Sequence, residues 1–260
     1  MIAALHLSPG QVVASLALVA VAVLVSIWQR ADLARDIAVA TVRSFIQLTA
    51  IGYLIKVIFE QNNLVFVIAL LATMVLFGAF TARQRARRVP HAFWPLLLAL
   101  ALAGSTTLLL VVALGVFKPQ ARYLVPVGGM VIGNAMTAAA VALNRLGDDV
   151  ADGAAQIEAT LALGATASEA IRPLLRRSLR SDMIPLIDST KTTGLIFFPG
   201  TMVGMLLAGA APIDAVRLQL VLLYVLLGSV ALAALTAVHL AYRNFFTEAH
   251  QLRELAQPHA

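Results

Sequence analysis

Residues 93–117 read FWPLLLALALAGSTTLLLVVALGVF, a run without one charged side chain. A helix rises about 1.5 Å per residue and the hydrocarbon of a bilayer is about 30 Å thick, so about 20 such residues cross it. A helix of a soluble protein is apolar on one stripe only, and this run is apolar all round, as a lipid-embedded helix must be. Working outward, six more stretches are long and apolar enough or nearly so: 11–29, 40–59, 64–82, 123–144, 186–208 and 218–242. The expected fold is all-α, a polytopic membrane protein of about seven transmembrane helices forming one domain over 1–260.

Composition supports this. The chain is 60% hydrophobic and 12% charged, with mean hydropathy +0.89, against about 45–50% and about 25% in soluble domains. Residues 1–10 carry no Lys or Arg, so the first run lacks the basic start of a signal peptide and reads as an uncleaved helix. The net charge of +6 does not point to nucleic acid, because the basic residues lie in short clusters between apolar runs and do not interleave with aromatics. Cysteine is absent, which removes disulfides and thiolate metal sites.

The clusters set an orientation. Thirteen basic residues fall in one set of connections: Arg30, Arg35, Arg83, Arg85, Arg87, Arg88, Arg145, Arg172, Arg176, Arg177, Arg180, Arg243 and Arg253. Three, Lys118, Arg122 and Arg217, fall in the other. Cytoplasmic loops are the basic ones, so the expected topology is N-terminus out and C-terminus in. Residues 246–260 read as a polar tail.

One cytoplasmic loop, Arg145 to about Pro185, is long enough for structure of its own. Gly147, Asp148, Asp149, Asp152 and Gly153 suggest a turn-rich start with an Asp N-cap. Ile157, Leu161, Leu163, Ile171, Leu174 and Leu175 recur at roughly helical spacing, with Glu158, Arg172, Arg176 and Arg180 as the polar positions. Gly164-Ala165-Thr166 interrupts the pattern, giving helix, tight turn, helix. Such a pair either lies on anionic lipid or docks a partner.

Residues 158–166, Glu-Ala-Thr-Leu-Ala-Leu-Gly-Ala-Thr, resemble the E-A-A-x-x-x-G loop with which ABC-transporter permeases engage their ATPase. Thr160 stands for the second Ala, and Arg176-Arg177 occupy the place of a Leu-Pro pair. Three further blocks carry a resemblance to the Fet-type permeases, bacterial ABC subunits associated with iron export and related to plant aluminium-tolerance transporters. They are Thr41 to Leu48 (TVRSFIQL), Pro126 to Met136 (PVGGMVIGNAM), and Asp188 to Leu195 (DSTKTTGL) continuing through Phe198 to Gly204 (FPGTMVG). The resemblance covers about residues 40–245. It implies a permease of the inner (plasma) membrane that is not itself an enzyme, a homodimer of this subunit, and a separate ABC ATPase that holds the ATP and Mg. No cofactor is implied for this chain, and no G-x-x-x-x-G-K-[ST] phosphate cradle occurs in it. Iron or another metal species is the implied cargo. A small organic or nucleotide-sugar solute is the alternative, and a membrane-embedded enzyme using Asp188 and Lys191 a remoter one, since no G-x-S-x-G or H-E-x-x-H is present.

The candidate coupling residues are therefore Glu158, Ala159, Gly164, Ala165 and Thr166. Candidates for the translocation path or gate are the polar and helix-breaking positions within spans: Arg43, Gln47, Asn134, Asp188, Lys191, Pro199 and Gly200. An intramembrane charge costs about 2.5–3.5 kcal/mol at the centre on insertion scales, so these groups either snorkel to the interface or face a polar cavity. Asp188 and Lys191, three apart, can pair. Asn134 is either helix-packing glue or a ligand. Gly129-x-x-x-Gly133 and Gly200-x-x-x-Gly204 suggest close helix approach. Pro199-Gly200 should kink or break the sixth span. Met130, Met136, Met202 and Met205 are packing residues or soft metal contacts, thioethers suiting Cu(I) better than iron. His6, His91, His239, His250 and His259 show no metal-site spacing, so no metal cage is expected.

Overall fold

The computed structural model describes residues 8–61, 63–247, 249 and 251–253; His6, His250 and His259 lie outside them. The described residues are helical almost throughout: α1 (Pro9–Trp28), α2 (Ala34–Gln61), α3 (Leu64–Arg85), α4 (Phe93–Ala113), α5 (Ala121–Asp152), α6 (Ala154–Ala162), α7 (Ala167–Thr192), α8 (Gly200–Leu207) and α9 (Pro212–Ala241), closed by a 3-10 turn at Tyr242–Phe245. Boundary chemistry is local. Ser8 and Gln11 form a capping box at α1, and Asn63 caps α3 through the amide of Val65.

Helices α3, α4, α5 and α9 pack on one another as the central bundle. Their seams are alanine: Ala79, Ala82, Ala99, Ala103, Ala135, Ala139, Ala142, Ala233, Ala234, Ala237 and Ala241 are all buried. Lipid tails are as apolar as leucine, so helices associate in a bilayer by close van der Waals packing, which small side chains permit. The α1–α2 hairpin stands apart. It joins the bundle mainly where Ile58 packs with Val67, Ala121, Leu124 and Val125, and Val39, Val42, Phe45, Ile46 and Leu48 along α2 are exposed.

Two ends follow from these contacts. Ile58, Val67 and Ala121 meet at one end, near Lys118 and Arg122. At the other, Arg88 in the α3–α4 turn pairs with Asp148 at 3.1 Å, and Asn244 Nδ2 donates to the Pro90 carbonyl at 2.9 Å. The basic loops of the sequence analysis thus collect at a single end, together with α6 and the start of α7.

Three expectations change. Among the described residues, six helices are long and apolar enough to cross a membrane, and the expected crossing at 186–208 is broken. It consists of the end of α7, a non-helical segment at 193–199, and α8. Its helical pieces are about 10 and about 12 Å long, so only together with the linker do they reach the width of the hydrocarbon. The turn-rich start after Arg145 is absent, because α5 runs on to Asp152 with Gly147, Asp148 and Asp149 inside it. Gly153 begins α6 without a side-chain cap. Packing decides there, since Leu146 and Val150 are wholly buried and hold the extra turns against the core. Finally, a Cβ at Gly133, Gly200 or Gly204 would meet nothing within 4 Å, so these glycines are not close-approach points within one chain. Gly147 is one, since a Cβ there would sit 2.8 Å from Arg88 Cβ.

Candidate functional site: the helical elbow and the broken span

The elbow is built from α6 and the first turns of α7. Ile157 and Ile171 are buried, with Leu161 and Leu174 packed beside them, so α6 is glued to α7 by one apolar face. The opposite face, Glu158, Ala159, Ala162, Leu163 and Gly164, is exposed. Leu163, expected on the apolar stripe, instead stands at the tip, 90% exposed. Gly164 turns the chain with φ +91°, a left-handed conformation that costs any residue with a Cβ about 1–2 kcal/mol. Thr166 then starts α7 with a reciprocal box: Glu169 N donates to Thr166 Oγ1 at 3.3 Å, and Thr166 N donates to Glu169 Oε2 at 2.9 Å. The Thr166 amide, and after it the Thr166 hydroxyl, hold the Glu169 carboxyl below its usual pKa. Glu158 lies on the rim of a cleft of about 540 Å³ that also touches Leu161, Ala162, Ala165, Gln251 and Leu252.

The elbow is continuous with the bundle. Ile157, Ile171 and Leu175 belong to the same buried cluster as Leu146 and Val150 of α5, Leu96 and Leu100 of α4, Val238 of α9, and Phe245. Five buried positions of α7, Ala167, Ile171, Leu175, Ser178 and Asp182, recur every three or four residues and turn from apolar to polar on leaving the elbow. Ser178 Oγ donates to Asp149 Oδ2 at 3.5 Å. Asp182 is 8% exposed and its Oδ2 has no partner among the described residues; burial pushes its carboxyl up to about 7. Gln219 in α9 is also buried with Oε1 unpartnered. Neither stood out in the sequence, where each reads as one polar residue on a helix; only the packing gives them weight.

At the far end of α7, Lys191 Nζ donates to Asp188 Oδ1 at 3.2 Å with both side chains largely exposed, the expected i,i+3 pair. The break follows. Gly194 takes φ +85° and donates to the Phe197 carbonyl at 2.9 Å, while Leu195, Ile196 and Phe198 are exposed. Pro199 caps α8 and Gly200 begins it, so the expected proline-glycine pair marks the far end of the break, which opens six residues earlier at Thr193. Unpaired backbone is not tolerated against lipid and occurs at membrane depth only beside protein or water.

The remaining candidates do not converge in one chain. Arg43 and Gln47 share a face of α2, beside a shallow apolar groove that also includes Val39, Val42 and Ile46. Asn134 is exposed on α5, its Nδ2 donating to the Met130 carbonyl one turn back at 2.8 Å. Met130 packs beside Val127, Val131 and Leu222, and Met136 against the central cluster; Met202 is buried on α8 and Met205 half-buried. Among the described residues no three His, Asp or Glu side chains gather as metal ligands.

A bundle of membrane-length helices that carries a glycine-bent helical elbow on its basic end defines a multi-pass helical protein, of the kind that resides in a cell's inner membrane. The family described as "Uncharacterised protein family (UPF0014)" matches residues 9–246, and the chain belongs to it. It is 38% identical over 240 residues to Protein ALUMINUM SENSITIVE 3 of Arabidopsis thaliana, covering 92% of this chain and 88% of that one. It is 39% identical over 242 residues to UPF0014 membrane protein STAR2 of Oryza sativa subsp. japonica, covering 93% and 85%. It is 34% identical over 238 residues to Probable iron export permease protein FetB of Escherichia coli (strain K12), covering 92% of each. No solved structure matches the chain.

Proposed function

We propose that this chain is the membrane-spanning permease subunit of an ATP-driven ABC exporter, moving iron or another metal species out of the cytoplasm. The elbow carries the reading: an apolar-anchored helix with an exposed Glu158, an exposed Leu163 and a left-handed Gly164 at its tip is a projection shaped to sit in a cleft of another protein. Hydrolysis belongs to that partner, a separate ATPase holding ATP and Mg. The basic end that bears the elbow faces the cytoplasm, so the N-terminus lies outside. The relative named as a probable iron export permease supports the cargo class.

The functional unit is two copies of this chain with two ATPases. Exposed Gly133 and Asn134 on α5, open glycines on α8, and the bare α1–α2 hairpin are surfaces that one copy leaves uncovered. Arg43, Gln47, Asn134, Asp188, Lys191 and the 199–200 break would then line or gate the path between copies, with Met130, Met136, Met202 and Met205 near it.

The test is reconstitution of the chain with an ABC ATPase that co-purifies with it. Fe(II) should stimulate hydrolysis and be transported; stimulation by organic or nucleotide-sugar solutes with no metal flux would reassign the cargo. Failure of any nucleotide-hydrolysing protein to bind the elbow would overturn the reading.

A further inference from the structure

The turn between α3 and α4 borders a half-open cavity of about 490 Å³ whose lining includes Arg83, Arg87, His91, Phe93 and Trp94. We propose that this cavity binds the phosphate headgroup of an anionic phospholipid.

Its chemistry is that of an anion receptor. Two guanidiniums and one imidazole line it and no carboxylate does. Of the four arginines in this turn, Arg88 is taken by Asp148, whereas Arg83 and Arg87 have no carboxylate within 4.0 Å among the described residues. Among the described residues Arg87 uses only Nε, donating to the Gln84 carbonyl at 3.2 Å, which leaves its terminal amino groups for a phosphate oxygen. A guanidinium presents five donors in a flat fork suited to that partner.

The place selects a lipid. Arg83 is in the last turn of α3 and Trp94 in the first turn of α4, both membrane-length helices, so the cavity lies at the membrane boundary. The exposed Trp94 ring stands edge-on to Phe93, centroids 5.6 Å apart, at the depth where tryptophan anchors in the headgroup region. Basic side chains and aromatic rings lining one pocket suit an anionic lipid headgroup at an interface. The turn is also rigidly held, by Arg88 to Asp148 on α5 and by Asn244 to the Pro90 carbonyl. Binding here requires only the membrane boundary, whatever solute the protein moves.

The full chain carrying Trp28→Phe, which leaves Trp94 as its sole tryptophan, would be placed in phosphatidylcholine bilayers. Quenching of Trp94 by brominated phosphatidylglycerol would be compared with quenching by brominated phosphatidylcholine. Phosphatidylglycerol should be preferred, and Arg83→Gln and Arg87→Gln should each lower the preference about five-fold, the double variant abolishing it. Arg176→Gln on α7 should leave it unchanged; an equal fall there would show general charge attraction and overturn the site. No initial preference would overturn it too. Displacement of the lipid by millimolar inorganic phosphate would reassign the cavity to a soluble phosphate species. Helix content by circular dichroism checks the fold, and should the double variant not fold, high salt applied to the Trp28→Phe protein must erase the preference, since surface charge pairs are screened; retention would refute the proposal.

Discussion

Replacing Asp182 by Asn should remove a pH dependence that is built into the root of the elbow. The carboxyl is 8% exposed, has one oxygen without a partner among the described residues, and titrates at about 7 because burial disfavours its charge. In the unfolded chain it titrates at the ordinary 3.8. The folded protein therefore holds this proton where the unfolded chain has released it. Its contribution to stability is fully present below about pH 4, falls as pH rises from 4 to 7, and is gone above about 7. Three pH units correspond to about 4 kcal/mol at most, or roughly 10 °C in melting temperature at about 2–4 °C per kcal/mol. The isosteric amide has no proton to lose. Melting of the detergent-solubilised full chain, followed by tryptophan fluorescence from pH 4 to 8, should decline for the wild type and stay nearly level for Asp182→Asn. The variant should be the more stable at pH 8 and no better at pH 4, where its unpaired amide costs about 1–3 kcal/mol. Parallel profiles for the two proteins would refute the assignment of a protonated carboxyl to this position.

Three shorter predictions concern the elbow and the bundle. Gly164→Val, forced to φ +91°, should cost about 1–2 kcal/mol locally and uncouple ATPase activity from transport while insertion stays normal, measured in proteoliposomes. Leu163→Asp, at a side chain 90% exposed, should leave the melting temperature within about 1 °C and abolish co-purification of the proposed ATPase partner; retained binding would remove the tip from the proposed interface. Ala139→Leu, at a seam where alanine is wholly buried, should destabilise by about 1–3 kcal/mol through overpacking, read as a lowered melting temperature.

How much of this was legible in the chain depends on what each residue type can report alone. Uniform runs such as 93–117 fix the membrane class without tertiary information, because lipid exposure demands apolarity on every face. Gly164-Ala165-Thr166 announced a turn, and the structure places it with a positive φ and a capping box, since both devices are local. The extension of α5 to Asp152 was not legible. Asp and Gly there look like a turn until the buried faces of Leu146 and Val150 are known, and burial outweighs weak local preference. Ser178, Asp182 and Gln219 were invisible for the same reason, being ordinary polar residues until neighbours close over them. The anion cavity was half legible, as four arginines and a Trp in sequence, but Arg88 is separated from Arg83 and Arg87 only by its bond to Asp148.

One helix joins the elbow to the broken span. Helix α7 starts at the Thr166 box, runs along the buried face from Ala167 to Asp182, and ends at Thr193, where the break begins. Its 26 residues make a rod of about 39 Å. The rod has two internal prolines: Pro173 sits in the stretch packed on the core, and Pro185, beyond it, has no N–H for the Ser181 carbonyl. Before Pro185 the helix is glued to α5 through Ile171, Leu175 and Ser178; after it, Ile187, Asp188 and Lys191 are exposed. If a partner docks at the tip as proposed, force applied there would enter a segment packed on the central core. Beyond Pro185 the helix is less buried within one chain and leads directly into the Gly194–Pro199 linker. On the proposed reading, the place where a partner would do work and the place where the membrane path would open are the two ends of one helix, α7.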